Sequence, residues 1–439
     1  MKKNTFAKLG TGIALSLVTS TLLHATNGDH LISVGAKARG MGGVGIALSH
    51  GAESTLNNPA LITGIENTEI SFGGTIFMPT IETKIGNSMY GAPQTGYTSD
   101  ADMNMIPEVS LAHKLTDNWY IGVGMWGTAG MGTDYSDATN TPFTNGQYGN
   151  FNMVTNLQLM QFAVPIAYKM DGFSFAVSPI MQYGNLDINY KMPNSSGGLD
   201  TIGEGLAQDF GFGYNIGASY DFSNGLIIAA VYKSAIEMNY GSQLKTAAAP
   251  FNQMLAAFGQ SIYDGEILEQ PAEIGVGFAY SMGQHTFGFD YKKIQWSDAQ
   301  GYGDFGWEDQ DVYAIGYQFT QDNWALRCGY NHASSAVAEL GTSNMMTMGA
   351  NSANNFFNLL GFPATAEDHY TIGGTYAFSE QFSLDLAYVY SPNTTESYAT
   401  PAFAGNPMAE NPMERGFGID SITTDHKESS FSFQLTYNF

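Results

Sequence analysis

A single cysteine, Cys328, stands in 439 residues. That scarcity excludes an intramolecular disulfide, a Cys-x-x-Cys redox pair and any cysteine-built metal site. Basic residues are few as well: 16 lysines and arginines face 40 acidic residues, for a formal net charge of −24. Such a surface repels nucleic acid, which proteins bind through basic patches. No stretch approaches the ~20 apolar residues of a membrane-spanning helix. Catalytic signatures are also missing, with no G-x-S-x-G, H-E-x-x-H or Walker A sequence in the chain. The eight histidines are scattered. A Ser–His–Asn hydrolase assembled across strands, with His113 or His285, is the remaining enzymatic arrangement, and geometry rather than sequence defines it. No cofactor and no metal are expected, and any transport is passive.

What the chain has in plenty is glycine (52 residues), tyrosine (25) and phenylalanine (28). Abundant aromatics and few charges argue against disorder. Lys2, Lys3 and Lys8, the apolar run Leu9–Leu23 and the small residue Ala25 form a signal peptide over 1–25. Removing those three lysines takes the formal charge from −24 to −27.

Period-two alternation then recurs to the C-terminus. Phe431, Phe433, Leu435, Tyr437 and Phe439 oppose Ser432, Gln434, Thr436 and Asn438. Tyr313, Ile315, Tyr317 and Phe319 oppose Ala314, Gly316 and Gln318, and the pattern repeats over 324–331, 382–388 and 274–280. A soluble sandwich alternates too, but with its apolar face inward. Polar faces carrying charge and glycine, with aromatics crowding the strand ends, favour lipid outside and a polar lumen. Strands are expected near 68–84, 103–115, 118–130, 156–170, 172–190, 211–222 and 225–241. Seven more follow near 270–282, 284–295, 309–320, 323–333, 367–379, 381–392 and 424–439. Short turns such as Asp171-Gly172 and Ser379-Glu380 alternate with long loops, so both termini lie on one, periplasmic side. The fold expected is all-β: a 14-stranded antiparallel transmembrane β-barrel over 66–439, in the outer membrane of a Gram-negative bacterium. About eight strands is the width that side chains alone can fill. Residues 26–65 are therefore the natural plug of the lumen.

That stretch holds Gly35, Gly40, Gly42, Gly43 and Gly45, followed by the rigid turn Asn58-Pro59-Ala60. Gly40-Met-Gly42-Gly-Val-Gly45 matches G-x-G-x-x-G, but a dinucleotide site needs a hydrophobic strand before it and an acidic residue about 20 positions on. The pattern recurs inside a strand at Gly122, Gly124 and Gly127, and packing within a plug is the better reading.

Two long loops show helical spacing. Leu199, Ile202, Leu206 and Phe210 follow it across 192–210. Phe251, Met254, Leu255, Phe258 and Ile262 form an apolar stripe within 243–269. A third cluster, Phe356, Phe357, Leu359, Leu360 and Phe362, lies in the 334–366 loop. Loops facing water do not spend such residues idly; they build a ligand groove, or pack on each other as a lid. Arg327, Lys292 and Lys233 are inward-facing cations. Arg327 suits a carboxylate ligand, or pairs with inward Asp290 or Asp385.

The small-residue N-terminal segment and the run Asn58-Pro59-Ala60-Leu61-Ile62 resemble the plug of the FadL-type outer-membrane transporters of fatty acids and aromatic hydrocarbons. The terminal Phe439 resembles the closing signature of outer-membrane barrels. The resemblance implies fourteen strands and an apolar capture groove between the loops joining strands 5–6 and 7–8. It also implies a kink in the third strand that opens a lateral exit. Gly122, Gly124 and Gly127 make 118–130 the most glycine-rich strand, which suits a kink, or else room for plug residues. The expected function is a passive channel for hydrophobic molecules, with a polar-solute porin or a structural surface protein as rivals. The expected partners are a hydrophobic ligand, outer-membrane lipid and lipopolysaccharide, with no nucleic acid, and the chain a monomer.

Overall fold

The computed structural model describes residues 27–87, 92–139, 150–193, 199–405 and 418–439; the expected signal peptide lies outside them. One antiparallel sheet closes on itself as a barrel. Its fourteen spans begin with β1 (Thr68–Asn87), β2 (Asn104–Lys114) and β3 (Trp119–Met131). β4 runs Val154–Ala163 and resumes as Ile166–Met170 after a break at Pro165. Then come β5 (Phe173–Pro193), β6 (Ala207–Asp221), β7 (Leu226–Lys233), β8 (Glu273–Met282) and β9 (His285–Ile294). The wall ends with β10 (Gln310–Gln321), β11 (Trp324–Ala333), β12 (Asp368–Ala377), β13 (Phe382–Ala399) and β14 (Ser421–Asn438). β14 pairs with β1 from Glu69↔Asn438 to Gly86↔Ser421, which removes the free edge.

The turns explain the up-and-down order. Asp171 and Gly172 both have positive φ (48° and 83°), the backbone of a two-residue turn that matches strand twist. The outward row of β5 reads Phe173, Phe175, Val177, Pro179, Met181, Tyr183, then Asn185, Asp187 and Asn189. The apolar part is about the length of one transmembrane strand, and the polar part projects beyond the bilayer. Aromatic pairs mark both borders. Trp119–Tyr168 and Tyr437–Phe439 lie at the turn end, Tyr291–Tyr313 and Tyr330–Tyr370 at the loop end.

Residues 27–66 fold inside the wall as short helical turns, including α1 (Ala36–Arg39) and α2 (Ser54–Asn57). The lumen around them is polar, with Glu69, Ser71, Thr75, Glu108, Ser432 and Gln434 buried. Its loop-side half is not polar, against the expectation from alternation alone. There Ile81, Ile85, Leu157, Leu186, Ile188 and Tyr190 point inward and join one large buried cluster or lie beside it. Two helices from long loops fill that half: α3 (Gln243–Leu255) and α4 (Met348–Leu360).

Candidate functional site

The loop-side half of the lumen holds an apolar cavity of about 40 Å³. In α3, Leu244, Ala247, Ala248, Phe251 and Leu255 recur at helical spacing, and all are buried. Asn252 fastens the chain that follows: its side chain accepts from Ile262 N–H at 2.8 Å and donates to the Ile262 carbonyl at 3.2 Å. Ile262 thereby folds back onto the helix rather than extending it. Met254 is half-buried against the cluster, while Phe258, in the turn after α3, is 73% exposed.

From the opposite side α4 contributes Phe356, Phe357, Leu359 and Leu360, all buried, while Phe362 just beyond it is half-buried. Its asparagines sit in the interior because each closes a loop. Asn355 donates to the Leu340 and Ala399 carbonyls at 3.0 Å, and Asn358 to the Phe305 carbonyl at 3.0 Å. Phe251 meets Phe357 with ring centroids 4.8 Å apart and Phe403 at 5.6 Å. Leu157, Ile188, Tyr302 and Trp307 complete the cavity wall.

The other helical reading is corrected. Leu199–Ile202 is a strand paired with the end of β5, Tyr190↔Ile202 to Pro193↔Leu199. Phe210 lies within β6, more than half exposed on the outer face beside Tyr183, and Leu206 is equally exposed. Gly203 and Gly205, with φ of 144° and 82°, turn the chain where a helix would have to continue. Only the 243–269 and 334–366 loops, not 192–210, build the helical site.

Inside the wall, the glycine motif works by proximity. A Cβ on Gly42 (φ 71°) would stand 2.7 Å from the Tyr330 backbone, and one on Gly40 3.1 Å from the Gly373 Cα. Gly43 abuts the Ile32 carbonyl and Gly45 the Asn57 side chain. Asn58 caps the turn Pro59–Gly64 by accepting from Ala60 N–H at 3.0 Å, and donates to Ile46 O at 2.8 Å and Ala230 O at 3.4 Å. Asn58-Pro59-Ala60 therefore lies against β6 and β7.

Wall carboxylates hold this segment, and sequence reasoning passed over two of them, Glu69 and Glu108. Asp290 accepts from both Gly45 N–H (2.7 Å) and Ile46 N–H (2.8 Å). Glu108 accepts from Gly35 N–H at 2.9 Å and Glu69 from Ala52 N–H at 2.7 Å. Gln434 and Thr371 take the Ala36 and Gly42 N–H groups. Inward parity identified Asp290, but no sequence signal names a backbone partner. Within the segment, burial pushes the Glu53 carboxyl well above its usual range, with Lys37 opposing. Burial likewise pulls the His50 imidazole down to about 3 and the Arg39 guanidinium to about 10.

Arg327 is committed. Its Nη1 lies 3.4 Å from Asp385 and its Nε donates to Gln318 at 2.6 Å. Lys233 pairs with Glu273 at 2.8 Å. Lys292 forms no ion pair among the described residues and donates to the Ile32 carbonyl at 3.4 Å. It borders a second, polar cavity of about 70 Å³ that reaches Gln161, Asn215 and Thr128.

Thr128 belongs to β3, which is bent. The β2–β3 ladder stops at Glu108↔Trp126, although β2 begins at Asn104 and β3 runs on to Met131. A bulge at Gly127/Ala129 shifts its other ladder. Thr128 and Gly130 turn to the inner segment: Leu31 N–H donates to Thr128 O at 3.1 Å, and Gly130 N–H to Asp29 O at 2.9 Å. Leu31, Phe77 and Ile106 form a buried apolar trio beside the break. The stretch covering β3 is thus 29–31, not Asn58-Pro59-Ala60. The β3 glycines do not make room for the inner segment either. Added side chains at Gly122, Gly124 and Gly127 would meet Pro165, Trp126 and Ile106. Room for the segment comes instead from wall glycines such as Gly288, Gly316 and Gly329.

Residues 25–439 match the family described as "Outer membrane protein transport protein (OMPP1/FadL/TodX)". The "47 kDa outer membrane protein" of Pasteurella multocida (strain Pm70) is 23% identical over 363 residues, covering 78% of this chain and 82% of that protein. The "Long-chain fatty acid transport protein" of Salmonella typhi is 22% identical over 433 residues, covering 89% and 92%. Two solved structures share the fold with a TM-score of 0.64 at 15% identity, each covering 96% of this chain and 100% of the other. They are the Pseudomonas putida toluene transporter TodX and a Pseudomonas aeruginosa FadL homologue.

Proposed function

The chain belongs to the OMPP1/FadL/TodX family of outer membrane transport proteins, and from that premise we propose how it carries a hydrophobic molecule through its lumen. It is an outer-membrane channel for fatty acids or hydrocarbons and not an enzyme. Residues 26–65 are its plug. Capture takes place at Phe251, Met254, Leu255, Ile262 and exposed Phe258, beside Phe357 of α4. The molecule then descends past the plug's first residues and leaves into the bilayer where β3 parts from β2.

The observation that carries this reading is the apolar loop-side lumen. A porin for polar solutes needs the opposite lining. The arrangement also addresses release. A sixteen-carbon tail gains roughly 0.8 kcal/mol per buried CH₂, more than 10 in all, so a single deep pocket would trap it. An apolar cavity followed by a separate polar one divides that gain. Unpaired backbone facing lipid is not tolerated, and here residues 29–31 pair the bent end of β3.

For a fatty acid, Lys292 rather than Arg327 meets the carboxylate, because Arg327 is held by Asp385. The protein acts as a monomer surrounded by lipid and lipopolysaccharide. Purified protein titrated with a long-chain fatty acid, an alkane and toluene tests the reading. Binding of at least one is expected, with Lys292→Met weakening only the acid. Absence of binding across the panel would refute it.

A further inference from the structure

Six of the seven glycines in strands β8 to β12 face the inner segment, and its atoms occupy the space a side chain would need. A Cβ on Gly275 would lie 2.5 Å from Ile46, one on Gly288 2.4 Å from Val44 and one on Gly316 2.5 Å from the Met41 carbonyl. Gly277, Gly329 and Gly373 meet Ile46, Gly42 and Gly40 in the same way. Gly374 points outward, and no atom of the inner segment approaches it. Its Cβ would meet only the Ala325 carbonyl at 3.1 Å and the Leu326 side chain at 3.6 Å. On the outer face Gly374 lies between Leu326 and Leu386 of the adjoining ladders. The missing side chain leaves an almost wholly apolar groove of about 400 Å³, flanked by Ile372, Tyr376, Trp324 and Tyr388. Both ladders run through Gly374 without a shift in register. The groove is therefore fixed relief on an unbroken wall.

We propose that it seats an acyl chain of a phospholipid with an ammonium headgroup, drawn from the periplasmic leaflet. The inference rests on the lipid-facing placement of this wall and not on the route of transport. Size, depth and charge select the occupant. Ligand sites measure roughly 300–1,000 Å³, and the groove, at about 400 Å³, falls in that range. Its turn-side end is the Trp324↔Tyr376 pair. Just beyond it the Tyr376–Phe378 and Phe378–Phe382 rings, 5.1 Å and 5.5 Å apart, mark the membrane interface. A chain lying in the groove thus carries its headgroup to the turns at 321–323 and 379–381. Those turns form one platform: Ala377 N–H donates to Asn323 O at 2.7 Å, and the Asn323 amide to Ala377 O at 3.2 Å. Their ionisable residues are Asp322 and Glu380, both exposed, with no lysine or arginine in either turn. Such a platform attracts an ammonium and repels a headgroup of net negative charge. The chain also covers backbone. At Gly373–Gly374 the wall has no side chain on either face; Gly40 covers the inside, and hydrocarbon outside keeps water from the ladder.

Native mass spectrometry of the full-length protein tests the assignment. The protein is delipidated in detergent, then titrated with palmitoyl-oleoyl phosphatidylethanolamine or with its phosphatidylglycerol counterpart. The parent should hold the ethanolamine lipid about fivefold more tightly, a ratio within reach of two exposed charge pairs. Gly374→Leu fills the groove and should weaken that binding about tenfold or more, a loss expected when a site is overpacked. Its barrel should stay heat-modifiable, and its affinity for toluene or palmitate in the lumen should stay within about twofold, as for distant sites. Asp322→Asn with Glu380→Gln, both on exposed turns, should keep the lipid but erase the preference. Equal affinity for the two lipids in the parent, full binding to a folded Gly374→Leu, or a preference that survives the double variant would overturn the proposal. A dimer that Gly374→Leu dissolves would overturn it in favour of a second copy of the chain. Displacement of the phospholipid by equimolar palmitate would overturn it in favour of the transported molecule.

Discussion

In the turn-side half of the lumen the wall offers carboxylates and hydroxyls, and they grip backbone. Asp290, Glu108 and Glu69 together accept four N–H groups of the inner segment. In the loop-side half strands β1, β4 and β5 offer Ile85, Leu157 and Ile188, which join side chains of α3 and α4 in one apolar cluster without direction. Hydrogen bonds to charged groups fix one geometry and fail abruptly when a partner leaves. Apolar contact is proportional to area and lets rings slide past one another. A channel that must stay shut below and admit differently shaped molecules above needs both kinds of grip, each in its place.

The contrast can be broken most severely by removing residues 27–45. Single-channel conductance in planar bilayers should rise from near silence to an open level, because the turn-side half then loses the glycine-rich first part of what fills its bore. Next in size, Phe251→Asp or Phe357→Asp should weaken binding of a fatty acid or hydrocarbon by tenfold or more. Losing a buried phenylalanine costs roughly 3–5 kcal/mol at such sites. The heat-modifiable barrel should persist, and its mobility on electrophoresis checks that.

Asp290→Ala attacks the other grip. It orphans two N–H groups, each charge-assisted bond being worth roughly 1.5–3 kcal/mol. Brief openings should become at least tenfold more frequent while ligand affinity stays within about twofold. If affinity falls instead, the two halves are not separable.

A smaller effect follows from Glu53, whose carboxyl oxygens have no hydrogen-bond partner among the described residues. Burial raises its folded pKa above the unfolded 4.5, so the folded state holds the proton longer. The hold on the inner segment is then strongest below about pH 4.5 and is lost as pH rises through the folded pKa. His50, lowered to about 3, has the opposite slope, confined to the interval below 6.5. As pH rises from about 4.5 towards the folded pKa, Glu53 should therefore lower protease protection of the segment, and Glu53→Gln should remove that contribution. Least of all, Leu206→Ser and Phe210→Ser should change ligand affinity by less than twofold, since both side chains face outward.

Strand alternation made the wall legible, because one face of every span meets lipid; in the last part of β14 the outward row reads Phe431, Phe433, Leu435 and Tyr437. Helical spacing in 243–269 was legible for the same reason: Phe251 and Leu255 are paid for by burial. The same spacing misled at 199–210, where four residues matched a period while glycines at 203 and 205 denied the backbone for it. Contacts set by register between distant strands were legible only as alternatives: Arg327 could pair with inward Asp290 or Asp385, or take a ligand carboxylate. Parity says that Arg327 and Asp385 both point inward, but only the pairing of β11 with β12 and β12 with β13 brings them within 3.4 Å.

The bonds that seat the inner segment also set an order of assembly. Gly45 waits for Asp290, 245 residues later, and Ala36 for Gln434, 398 residues later. The first part of the chain to be exported is thus among the last to find its partners, and separations of that length make ordering slow. Until β14 closes on β1, the segment's glycines have neither helix nor ladder to occupy them. The open sheet meanwhile presents bare carboxylates on its concave side. Closing the cylinder and seating the N-terminus are, for this chain, one event.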